Sequence, residues 1–146
     1  MKALIANSVI ALSGFLTAEA ASASPQQDYV LFCMGCHGSQ AEGVPGKVPP
    51  LANALGRYMR TPAGRNYVLR VPGAANSALS DTQLTAVLNW LAQTFDSNDL
   101  AKSGAALFTE AEVTGLRRLP LPSVLATRSA VVSDLATSGV APPMSY

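Results

Sequence analysis

Five residues, Cys33-Met34-Gly35-Cys36-His37, hold both cysteines and the only histidine of the chain, and they constrain it more than any other stretch. Two thiols three positions apart, followed at once by an imidazole, have the spacing at which a c-type haem is attached. The thiols add across the porphyrin vinyl groups and the imidazole binds the iron. Positions three apart share one helix face, so both sulfurs can meet one edge of a macrocycle while His37 reaches the metal. A dithiol redox pair would open a helix after a strand in a βαβ alternation, and no such alternation surrounds Cys33. A structural zinc site needs four ligands, and no further Cys or His follows. A plain disulfide leaves unexplained why three rare residues cluster at this spacing. The motif therefore reads as one covalent haem c, with Cys33 and Cys36 as its thioether positions and His37 as the proximal axial iron ligand.

The first residues bear on compartment. Lys2 precedes an apolar run over 3–16 whose polar members are Asn7, Ser8 and Ser13. Ala18-Glu19-Ala20 and Ala21-Ser22-Ala23 both fit the small-x-small pattern of signal cleavage, and the run is short for a membrane span. Residues 1–23 are expected to be a cleaved signal peptide directing the protein to the periplasm, the alternative being an uncleaved anchor helix. Export agrees with the haem motif, because free thiols in an oxidising compartment must be captured or oxidised. Removal of the signal leaves about 120 residues, enough for one core. A net charge of +1 excludes the strong basic excess of a general nucleic-acid binder. The charge is uneven: Lys47, Arg57, Arg60, Arg65 and Arg70 fall in a stretch without an acidic residue. That stretch is expected to steer an acidic partner surface or to pair with the haem propionates.

Along the chain, Ser24-Pro25-Gln26-Gln27 has capping-box form and starts a helix that runs into the motif. Tyr29, Phe32, Cys33 and Cys36 fall along one side of it and are expected to face the core. Residues 38–51 hold too many Gly and Pro for a helix or strand and read as a loop. Short helices are expected over 52–59 and 65–71, separated by a Thr61-Pro62-Ala63-Gly64 turn. Ser80-Asp81-Thr82-Gln83 is a second capping box, and Leu84, Val87, Leu88, Leu91 and Phe95 form an apolar stripe behind it. Two further short helices are expected beyond it, after Thr109-Glu110-Ala111-Glu112 and after Pro122. Their apolar face either covers the haem domain or docks a partner.

Cys33-Met34-Gly35-Cys36-His37-Gly38, then Gly43, then Pro49-Pro50-Leu51, resembles the proximal side of a class I (monohaem) cytochrome c. The resemblance covers about 24–95. It implies an all-α fold around one covalent haem, with 24–96 as the cytochrome domain and 97–146 as a helical C-terminal extension. It implies that the carbonyl of Pro49 or Pro50 accepts a hydrogen bond from the other nitrogen of His37, which would fix the ring and raise its basicity. It also implies that the helix after Ser80 packs across the first helix, against Tyr29 and Phe32. Trp90 is expected to be a core or rim aromatic.

The sixth iron ligand is where the sequence departs from that family. A methionine is implied in the loop before the last core helix, and 72–79 contains none. Met34 lies in the attachment loop and Met1 in the signal, which leaves Met59 and Met144. Met59, between the proximal loop and the last core helix, is the better candidate, and an open position near Asn76 is the alternative. Two strong axial ligands describe a carrier, whereas an open position describes a binder of a small gaseous ligand. The expected function is one-electron transfer in the periplasm, from a dehydrogenase towards the respiratory chain and a terminal oxidase. The alternatives are the gas binder and a cytochrome subunit tightly bound to a dehydrogenase. Without a second histidine as distal acid or base, an enzyme is not expected.

Overall fold

In a computed structural model, residues 23–141 and Pro143 are described. The expected signal peptide, apart from Ala23, and Met144 lie outside them. The described residues form helices joined by loops, with a single isolated β-bridge between Val44 and Val48. The protein is all-α, as its sequence pattern implies.

Helix α1 (Pro25–Phe32) starts at Ser24, whose side chain accepts from the Gln27 amide while the Gln27 side chain accepts from the Ser24 amide. The helix breaks at Cys33 (φ −127°, ψ −39°) and resumes as α2 (Met34–His37). Tyr29 is buried, but Phe32 is 46 % exposed, so the expectation that both face the core holds for Tyr29 alone. The long helix α6 (Asp81–Phe95) carries the same reciprocal cap between Ser80 and Gln83. It packs across α1, where the Tyr29 and Trp90 rings lie 5.5 Å apart and Trp90 meets Phe95 edge-on. Its stripe of Leu84, Val87, Leu88 and Leu91 is buried.

Between these, α3 (Leu55–Tyr58) and α4 (Pro62–Arg70) approach closely. A Cβ on Gly64 would overlap the Tyr58 carbonyl, so the crossing tolerates only glycine. Thr61 does not form a separate turn. It is the N-cap of α4, accepting from the Gly64 amide, with Pro62 in the first turn where its missing N–H is harmless. Pro72 likewise opens a short α5 (Pro72–Ala75) in what reads from sequence as a plain loop.

The extension forms α7 (Ser97–Ser103), α8 (Glu110–Leu116) and α9 (Val124–Thr137), one helix more than the sequence pattern suggests. It packs back on the preceding helices, α8 against α4 and α6, and α9 against α3 and α4. Phe108, Val113, Val131 and Leu135 enter the same apolar core as Leu69 and Leu91. Arginines fasten it. Arg65 forms a two-pronged pair with Glu112 at 2.6 and 2.7 Å, lies 4.5 Å above the Phe108 ring, and donates to the Ala106 and Leu107 carbonyls. Arg70 donates to the Leu119 and Pro120 carbonyls. Arg65 and Arg70, expected to serve a partner or the propionates, are therefore committed to holding the extension.

Arg117 works in the opposite direction, reaching from the end of α8 to the segment between α5 and α6. Its side chain is 1 % exposed and donates to the carbonyls of Ala75, Ser77 and Leu79 and to the Asp81 carboxylate at 2.8 Å. Hydrogen bonds from Arg117, and then from Thr114, hold the Asp81 carboxyl below its ordinary range. Arg117→Met should lower stability by about 3 kcal/mol in denaturant unfolding of the haem-loaded protein, because three carbonyls lose a buried donor. The depressed Asp81 carboxyl adds stability above its unfolded value, and that part is lost as pH falls through its folded value. The gap between wild type and Arg117→Met should accordingly narrow below about pH 4.

Candidate haem-binding site

A cavity of about 360 Å³ lies between the motif, the 47–51 loop and helices α3, α4, α5, α6 and α9. Cys33, Cys36 and His37 stand together on its wall, with Phe32 beside them. Most of the remaining wall is aliphatic, including Leu51, Leu55, Val68, Val71, Leu88 and Leu91. Two thiols and an imidazole at one end of an apolar cavity form the donor set that covalent attachment of a haem requires, so the residues present fit the group.

His37 is held from behind. Its Nδ1 lies 3.0 Å from the Pro49 carbonyl oxygen, so an Nδ1–H donates there and Nε2 keeps its lone pair for a metal. Burial pushes the imidazole below its ordinary value, with the Pro49 hydrogen bond opposing, which favours the neutral, ligating form. Pro50 also lines the cavity, but the hydrogen bond comes from Pro49. The backbone between motif and loop is tied at several points. The Gly43 amide donates to the His37 carbonyl at 2.8 Å, and the Leu51 and Ala52 amides both donate to the Ala41 carbonyl. The Tyr29 hydroxyl, from the buried face of α1, donates to the Gly38 carbonyl at 2.5 Å.

Burial first, then the negative charge of Asp28, push the free Cys33 thiol above its ordinary value. Cys36 is exposed, so one edge of the site opens to solvent.

Other candidates fall elsewhere. Met59 is 2 % exposed and belongs to the hydrophobic core cluster, and it is not on the cavity wall. Met59 is the C-cap of α3, and its carbonyl accepts from Arg65. Met34 packs against the core and is not on the wall either. Asn76 is exposed, while its neighbour Ser77 lines the cavity. Sequence reasoning did not pick out Val124 and Arg128, which bring the first turns of α9 to the cavity. The only sequence signal for them is that both lie on the apolar stripe after Pro122.

The fold and this site define a small helical haem-binding protein, and comparison with known sequences identifies its family. The family model for cytochrome c matches residues 26–95, and the chain belongs to the cytochrome c family. The chain is similar to cytochrome c-552 of Thermus thermophilus. Identity is 32 % over 116 residues, covering 66 % of this chain and 88 % of that protein. It is equally similar to a second Thermus thermophilus cytochrome c-552, at 32 % identity and 78 % coverage of that relative. No solved structure matches. Membership makes the chain a monohaem electron carrier with covalent haem c, an electron-transfer protein that works with redox partners.

Gly43 (φ +70°) offers a test of how the loop positions His37. A Cβ there would overlap the Val48 carbonyl and the carbonyl of Pro49, the acceptor of His37. Gly43→Ala should lower the unfolding free energy of the haem-loaded protein by about 1–2 kcal/mol through strain and displaced backbone, measured by thermal or denaturant melting.

Proposed function

We propose that this cytochrome is exported to the periplasm. There it accepts single electrons from a dehydrogenase and passes them to a downstream cytochrome or terminal oxidase. The observation that carries this reading is the attachment motif itself: Cys33, Cys36 and His37 on one cavity wall, with the His37 ring buttressed by the Pro49 carbonyl. When bound, the haem supplies the one-electron couple. The chain's part is to shield it from water with an apolar wall, orient the imidazole, and leave one edge accessible.

That edge carries the features of a transient docking face. Cys36 and Lys47 are exposed beside Phe32, and Val44 is 42 % exposed. A small, partly apolar patch with a cation near it suits brief encounters with an acidic partner surface. Cys33, Cys36 and His37 are the residues proposed to hold the haem. The export reading rests on the 1–23 pattern, and it agrees with the finding that no described helix is long and apolar enough to cross a membrane. Because the extension packs on the haem domain, the apolar stripes of α8 and α9 are already occupied within the chain. The carrier reading is thereby favoured over a subunit docked through that segment.

Expression in a host with haem-attachment machinery should give a haem-staining protein in the periplasmic fraction. Its intact mass should match a chain beginning near Ser24 plus one haem, and it should titrate as one reversible one-electron wave. Retention in the cytoplasm with the leader intact would remove the export reading, and an irreversible couple would remove the carrier reading.

A further inference from the structure

Helix α9 turns one face inward, and one member of that face is charged. Val124, Arg128, Val131 and Leu135 fall at helical spacings along it. Val131 and Leu135 are buried in the core, while Val124 and Arg128 reach the cavity wall. An arginine in the middle of an apolar stripe costs desolvation unless an anion meets it. Among the described residues, the cavity lining carries two cations, Lys47 and Arg128, and no Asp or Glu. Lys47 is exposed on the loop that carries the Pro49 acceptor, whereas Arg128 is half-buried and belongs to the extension. Helix α9 packs against α3 and α4, and Tyr58 and Tyr67 of those two helices line the same cavity, adding hydroxyl groups to a wall that is mostly aliphatic. A guanidinium among such neighbours suits a carboxylate. Arg65 and Arg70, the other basic residues that the extension meets, are committed to holding it in place.

We propose that Arg128 seats a carboxylate of the haem, so that the C-terminal extension supplies the counter-charge for a propionate and helps to set the reduction potential. A haem brings two propionates into whatever cavity holds it, and an enclosed carboxylate needs donors and an opposite charge. A guanidinium provides both, with paired N–H groups and a charge that burial does not remove. Arg128 lies well beyond residues 26–95, so the match to the cytochrome c family does not supply this contact. The consequence is electrostatic. A cation beside the haem favours the ferrous state, which carries one positive charge less than the ferric, and so raises the potential. The folded-back extension thereby acts on the electron-transfer chemistry as well as on stability. The proposal rests on the haem being attached at Cys33 and Cys36, and the first measurement below tests that separately.

The experiment uses the full-length, haem-loaded protein, produced with and without carboxyl-labelled aminolevulinate, which carries the heavy carbon isotope into the propionate carboxyls. Haem staining after denaturing electrophoresis establishes covalent attachment. Its failure would strike the attachment reading and this proposal with it, whereas stained protein tests Arg128 alone. Reduced-minus-oxidised infrared spectra and midpoint potentials are then recorded for wild type, Arg128→Met, Arg128→Gln and Arg128→Lys. Arg128→Met suits the apolar stripe and Arg128→Gln keeps a donor, so the loss of one neutral variant to misfolding leaves the other. The expected result is that the isotope-sensitive carboxyl bands move and the potential falls in the neutral variants, while Arg128→Lys, which keeps the charge, stays closer to the wild-type potential. Isotope-sensitive bands that stay in place in the neutral variants overturn the proposal, whether or not the potential changes. A potential that falls as far in Arg128→Lys as in Arg128→Met overturns it equally, because packing and not charge would then be the cause.

Discussion

The hydrogen bond from His37 to the Pro49 carbonyl joins the two halves of the site. One half is the α1–α2 segment with the thiols, and the other is a loop whose only regular pairing is the Val44–Val48 bridge. An imidazole free to rotate would be a poor and variable ligand, and a loop without a fixed partner would not close a cavity. The bond solves both problems, provided the loop backbone can come close. Gly43, in a left-handed conformation beneath Val48 and Pro49, allows that approach. The Gly43 amide returns to the His37 carbonyl, so ligand, acceptor and hinge form one small closed circuit of backbone.

Around that circuit the cations are used for assembly. A run of basic residues without nearby acids in sequence looks like a steering patch, yet Arg65 and Arg70 find their partners about forty to fifty residues later, on the extension. Arg117 returns the interaction by filling the carbonyls at the end of the α5 segment. Partly buried, two-pronged arginine contacts fix geometry better than exposed point charges do, which suits a short segment that must hold one position on a cavity wall. The apolar residues Phe108, Val113, Val131 and Leu135 then make the extension part of one core. α9 reaches the cavity through Val124 and Arg128 only because this docking is fixed.

Some elements were legible because their signals are local. The reciprocal caps at Ser24 and Ser80 involve side chains three residues apart, and both helices begin where those caps place them. That Pro49 or Pro50 would be the acceptor for His37 was legible through family resemblance rather than through any local rule, and the structure selects Pro49. Other elements were not. Thr61-Pro62-Ala63-Gly64 was read as a turn, whereas Thr61 caps α4 and Gly64 packs closely against Tyr58 within it. α7 lacks a side-chain cap and so gave no signal at its start. Phe32 was assigned to the core on helical phase, and it stands instead 46 % exposed on the cavity wall beside the motif.

The sequence by itself determined the chemistry: two thiols and an imidazole in a spacing that suits one prosthetic group, on a chain whose apolar periodicity is helical on either side of the 38–51 loop. Those are properties of residues a few positions apart, and short-range geometry is set by the chain itself. Only the tertiary structure decided where Met59 went, which cations remained for a partner, and whether the extension folded back. Each of these depends on contacts between residues tens of positions apart, where competing burial and hydrogen-bond demands are settled by the whole core. Met59 was drawn into the core beside Arg65, and the cavity wall was completed instead by α4, α5 and a helix from the far end of the chain.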